Sequence, residues 1–79
     1  MGLKDLPLDK GRIHVKVFES LGWVLRRSEK NHYVLTHQNF PNVYISIPDH
    51  DEVDRRLLHD EARKAGLNDK QYRQAYDRL

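Results

Sequence analysis

Seventy-nine residues, a third of them charged and none of them cysteine, leave room for one small domain (1–79) and exclude a disulfide framework or a thiolate-bound metal. A chain of this size buries only about 60–65% of its unfolded surface, so its core must be thin. The net charge of +2 is too mild to announce a nucleic-acid binder, but it is unevenly placed: residues 1–40 carry +3 and residues 41–79 carry −1.

Residues 1–8 read as an arm ending at Pro7. It holds no apolar run long enough for a signal peptide or membrane span, and Leu6 stands where a myristoylation site needs Ser or Thr. The expectation is a soluble, cytoplasmic protein. Asp9 is a candidate cap for a helix from about Lys10 to Leu21, with Ile13, Val17, Phe18 and Leu21 on one face and Gly22 as its stop. Residues 23–27 read as a short strand with Trp23 and Leu25 pointing the same way, and Ser28 to Asn31 as a turn. His32 to His37 forms a second strand, and 38–42 a loop. Val43-Tyr44-Ile45-Ser46-Ile47 alternates cleanly, three β-branched residues against Tyr and Ser, which predicts a sheet covered on one side.

Pro48 ends that strand and Asp49-His50-Asp51 reads as a helix start. Val53, Leu57, Leu58, Ala62 and Ala65 line the next helix, which Gly66 terminates. Asn68 and Gln71 have capping-box spacing, with Leu67 placed to staple onto Tyr72. Tyr72, Ala75, Tyr76 and Leu79 then mark a short terminal helix. The fold class is therefore α+β: an α-β-β-β-α order with a short C-terminal helix, a three-stranded antiparallel meander, and helices on one face. That is the layout of double-stranded-RNA-binding domains.

Three stretches together resemble the HicA-type mRNA interferase toxins of bacterial toxin–antitoxin pairs. Lys10-Gly11-Arg12 opens the first helix, which closes on Leu21-Gly22-Trp23-Val24-Leu25. His32 precedes hydrophobic strand residues, where the family has a glycine-serine-histidine turn. Ile47-Pro48-Asp49-His50 is followed by a helix ending in Ala65-Gly66-Leu67. The resemblance implies a metal-independent endoribonuclease of double-stranded-RNA-binding-like fold, with His32 as the catalytic residue and a HicB-like antitoxin as partner. Lys30-Asn31 here replaces the glycine-serine pair, and the acidic Asp51-Glu52-Val53-Asp54 follows His50 where the family is usually basic.

The residues suit that chemistry. RNA is cut without a metal when its own 2′-OH attacks the neighbouring phosphate, which needs a base and cations around the developing charge. Imidazole, with an ordinary pKa of about 6.5, fits the first task. Lys30, Arg26 and Arg27 lie within a few residues of His32 as a cationic clamp, and Asn31 adds a donor. Tyr44, on the solvent face, is placed to stack a base. Lys10 and Arg12 join the RNA-binding set, and His50 matches a family position read as RNA-side or structural support. Taken without the resemblance, one histidine in a basic turn reads first as a surface residue at a strand end.

His14 reads as solvated on the polar side of its helix, His37 as facing away from His32, and His59 as exposed. His50 with Asp49 and Asp51 has metal-ligand composition, but a capped helix start is the stronger reading; no metal or cofactor is expected. Arg55, Arg56, Arg63 and Arg73 alternate with acids as on a solvated helix surface, and Trp23 reads as core. The competing functions are a non-catalytic RNA-binding module of the same fold and a protein-interaction domain. Neither requires a membrane.

Overall fold

A computed structural model describes residues 2–79, with side chains from Lys4 onward. Met1, where the expected arm begins, lies outside the described residues. The chain is α+β: α1 (Gly11–Ser20), then β1 (Val24–Glu29), β2 (His32–His37) and β3 (Phe40–Pro48), then α2 (Arg55–Lys64) and α3 (Asp69–Asp77). The strands form one antiparallel sheet in the order β1-β2-β3. This is the α-β-β-β-α arrangement of double-stranded-RNA-binding domains. Among the described residues, no helix is long and apolar enough to cross a membrane.

The period-2 pattern of β3 sorts the two sheet faces. Ile45 and Ile47 join Leu35 of β2 at zero exposure, and Val43 packs at the margin, while Tyr44 is 59% exposed. Burying each of these aliphatic side chains is worth on the order of 1.5–3 kcal/mol. Val17 and Phe18 of α1 complete the core with Trp23, Leu58, Ala62 and Tyr72; Phe18 meets the Trp23 ring edge-on at 6.4 Å and the tilted Tyr72 ring at 5.3 Å. Trp23 is thus core, just ahead of β1 rather than within it.

Several expected boundaries move. The arm is anchored: Leu6 is fully buried, and its carbonyl accepts from Arg55 Nε at 2.8 Å. Asp9 does not cap α1; Lys10 is the N-cap, without a side-chain bond. The Asp9 carboxylate instead accepts from Lys10 N and from the Tyr76 hydroxyl, both at 2.7 Å, fastening α3 to the start of α1. The Tyr76 bond first, then the Lys10 amide, holds that carboxyl below the usual range. β3 begins at Phe40, so the loop before it shrinks to Gln38-Asn39, and the β2–β3 register slips after Thr36. α2 starts only at Arg55, because Asp54 is the acid that accepts from Leu57 N. The capping box of Asn68 and Gln71 opens α3, whereas Leu79 lies beyond the helix end and is exposed.

Both edges of the sheet differ in how they end. On β3, Ser46 N donates to Glu61 Oε1 at 2.8 Å and Tyr44 O accepts from Lys64 Nζ at 3.3 Å, so α2 side chains occupy that edge. β1 is the other edge, and all six of its residues are exposed.

Candidate nucleic-acid interface

The β1–β2 hairpin pairs Glu29 with His32, leaving only Lys30 and Asn31 between the strands. Both have positive φ, 45° and 66°, the signature of a two-residue type I′ turn whose twist matches the strands. Asn tolerates that region readily; Lys bears a cost of about 1–2 kcal/mol there. The turn brings the Lys30 carbonyl to 3.2 Å from His32 Nδ1. A carbonyl only accepts, so in the neutral ring Nδ1 carries the proton and Nε2 is left with its lone pair. His32 itself is exposed at the end of the sheet's solvent face.

The far side of this end is built by the β3 exit. His32 pairs with Pro48, and Asp49 N donates to the Asn31 carbonyl at 2.7 Å, stitching the turn to the loop. The next carbonyl, of His50, accepts from Gly11 N at 2.9 Å. These bonds carry the N-terminus of α1, with exposed Lys10 and Arg12, to the same end of the sheet as His32 and Lys30. Asp49 and Arg12 both act on the hydroxyl of Tyr33, next to His32. Desolvation first, then Asp49, pushes its pKa up, and Arg12 opposes the rise. The His50 side chain is exposed, and its backbone, not its ring, makes the bond that positions α1.

Other candidates lie elsewhere on the same face. The pairing of β1 slips between Leu25 and Arg27, which leaves Arg26 as the bulged residue and sets Arg27 opposite Val34, two positions from His32. Arg26 Nε donates to Thr36 Oγ1 at 3.0 Å, and Tyr44 pairs opposite Thr36 on the other side. Arg26 and Tyr44 are therefore four strand residues, about 13 Å, from His32 and do not share its immediate surroundings. Two charged groups escaped the sequence reading. Glu29 is the direct cross-strand neighbour of His32, a position that counting back across a two-residue turn would have found. Lys64 Nζ lies 5.3 Å from the Tyr44 ring centroid, which no local pattern announces.

The other histidines are held by contacts within the fold. His14 is not solvated: it is completely buried, with Nδ1 2.7 Å from the Tyr72 hydroxyl and Nε2 lacking a partner among the described residues. Desolvation lowers its pKa to about 4 despite the pull of Asp9. The helix buries a wider arc than its most apolar stripe because α3 packs beside the sheet on it. His37 accepts from Asn39 N through Nδ1 at 3.0 Å and packs against Trp23 and Phe40. His59 is half-buried rather than exposed, its Nδ1 3.0 Å from Asp69 Oδ1. Asp49-His50-Asp51 is not a helix start, and among the described residues no group of three His, Asp or Glu side chains gathers to hold a metal ion.

Compared with known proteins, residues 11–67 match the family described as HicA toxin of bacterial toxin-antitoxin. No curated protein matches the chain.

Proposed function

Because the chain belongs to the HicA toxin family of bacterial toxin–antitoxin systems, we propose that it is an endoribonuclease that cuts mRNA in the cytoplasm without a metal, with His32 as general base. The observation that carries this reading is the exposed His32 ring whose Nδ1 is engaged by the Lys30 carbonyl at 3.2 Å, leaving Nε2 to accept a proton. In the step proposed, Nε2 takes the ribose 2′-OH proton and O2′ bonds to phosphorus. The P–O5′ bond breaks, giving a 2′,3′-cyclic phosphate and a 5′-oxygen that water protonates. Lys30, Lys10, Arg12 and, one row away, Arg27 hold the phosphate charge; Asn31 adds a donor from the turn, His50 supports α1, and Arg26 and Tyr44 contact RNA further along the face. A HicB-like antitoxin would restrain the toxin by covering this face.

The test is incubation of the purified chain with RNA in EDTA beside His32→Ala. Loss of the general base should slow cleavage by about 10²–10⁴-fold. Undiminished cutting by His32→Ala would reject the assignment. A second reading, RNA binding without cleavage, is favoured by Glu29 beside His32 and by Lys30-Asn31 in the turn. Salt-sensitive binding with no products from the wild type would establish it.

A further inference from the structure

An open cleft of about 500 Å³ lies at the opposite end of the solvent face from His32. Val24 and Pro41 form apolar walls, and Gly22, Thr36 and Gln38 complete it around Arg26 and His37. Its size falls in the range that encloses a small organic ligand.

Arg26 and His37 are held in place here, and both turn donors toward the cleft. Arg26 has its Nε tied to Thr36 Oγ1, which sets the guanidinium plane and leaves both Nη groups without partners among the described residues. His37 is wedged against Trp23 at 5.2 Å and Phe40 at 5.3 Å between ring centroids, and its Nδ1 accepts from Asn39 N. Its neutral ring therefore presents Nε2–H. Gly22, with φ +96°, allows this close approach: a Cβ there would sit 2.7 Å from His37 Nε2. The Gln38 amide and the Thr36 hydroxyl can each offer either a donor or an acceptor.

We propose that this cleft reads a guanine base of single-stranded RNA. Guanine presents O6 and N7, two acceptors on one edge, to the Arg26 and His37 donors, whereas adenine would turn its N6 amino group against them. The exposed Tyr44 ring, opposite Thr36, offers a stacking surface for the adjoining base. The cleft's role as a specificity subsite rests on the nuclease reading, since Thr36 and His32 share one strand and one face. About 13 Å of strand corresponds to no more than about four nucleotides stacked at about 3.4 Å each. The guanine would thus flank the cut within that span.

Titration of the ¹⁵N-labelled full chain with GMP, AMP, CMP, UMP and ribose 5-phosphate at low salt decides it. GMP should shift the Gly22, Val24 and Gln38 amides with about tenfold higher affinity than AMP. Val24→Trp, which fills the cleft from an exposed strand position, and Arg26→Gln, which removes the guanidinium donors, should each remove that preference. Equal shifts from all nucleotides or from ribose 5-phosphate, or none at these amides, overturn the proposal. Where the wild type cuts RNA, guanine should be enriched at a fixed distance from the cut and the two variants should erase it; enrichment untouched by both also overturns it. A wild type that cuts no RNA sinks the nuclease reading alone, and the titration still decides the cleft.

Discussion

Gly11 lies so close to Pro48 that a Cβ built on it would run into the Pro48 carbonyl. This backbone-on-backbone contact seats α1 against the β3 exit, beside the strand position that pairs with His32. Gly11→Ala must push the two apart, because neither partner is a flexible side chain. We expect a loss of about 2–3 kcal/mol, read as a melting temperature lower by on the order of 10 °C or more. An unchanged melting curve would contradict the packing.

Lys30 holds a left-handed conformation that its side chain disfavours, at the turn next to His32. Lys30→Gly should relieve part of that cost, raising stability by up to about 1 kcal/mol in urea unfolding. The same change removes a phosphate-binding charge, so RNA affinity should fall and its salt slope should lessen by about 1. Stability gained together with unaltered RNA affinity would remove Lys30 from the interface.

His14 faces the Tyr72 hydroxyl, the Tyr76 ring and, through space, the Asp9 carboxylate. Its folded pKa of about 4 is below the unfolded 6.5. The unfolded chain therefore takes up the proton first as pH falls. The stability is fully present above pH 6.5 and is lost progressively towards pH 4, by about 3 kcal/mol. Denaturant unfolding across pH 7 to 4 should show this slope in the wild type and a flatter one in His14→Gln. Parallel curves would mean that His14 does not govern the acid response.

Glu61 is 8% exposed and accepts from Ser46 N on the outer edge of β3. Glu61→Ala leaves that amide without its partner and should cost about 1–3 kcal/mol. Faster hydrogen exchange at Ser46 N, beyond the change in global stability, is the specific readout.

Where signals were local, the sequence was readable. The alternation of β3 predicts which face is buried, and Asn68 with Gln71 predicts the start of α3, because each involves atoms only a few residues apart. The polar run over residues 28–31 marked the turn ahead of His32, although β1 continues through Ser28 and Glu29 and only Lys30 and Asn31 make the turn. Features set by distant partners were not readable. His14 lies off the apolar stripe of α1, and only the arrival of Tyr72, 58 residues later, makes its burial tolerable. Asp49 and Asp51 read as the start of α2, but the backbone places Asp54, a few residues on, where its carboxylate meets Leu57 N. The two-residue turn extends β1 by Ser28 and Glu29, and this carries Arg26, expected near His32, along the strand to Thr36.

β1 leaves a full row of backbone donors and acceptors at the rim, with Val24 and Leu25 partly bare beside it. A second copy approaching antiparallel about the strand's midpoint would have to set Arg26 against Arg27. That like-charge encounter guards an otherwise adhesive ribbon against self-stacking. Concentrated protein should remain dispersed for as long as those two guanidinium groups are in place.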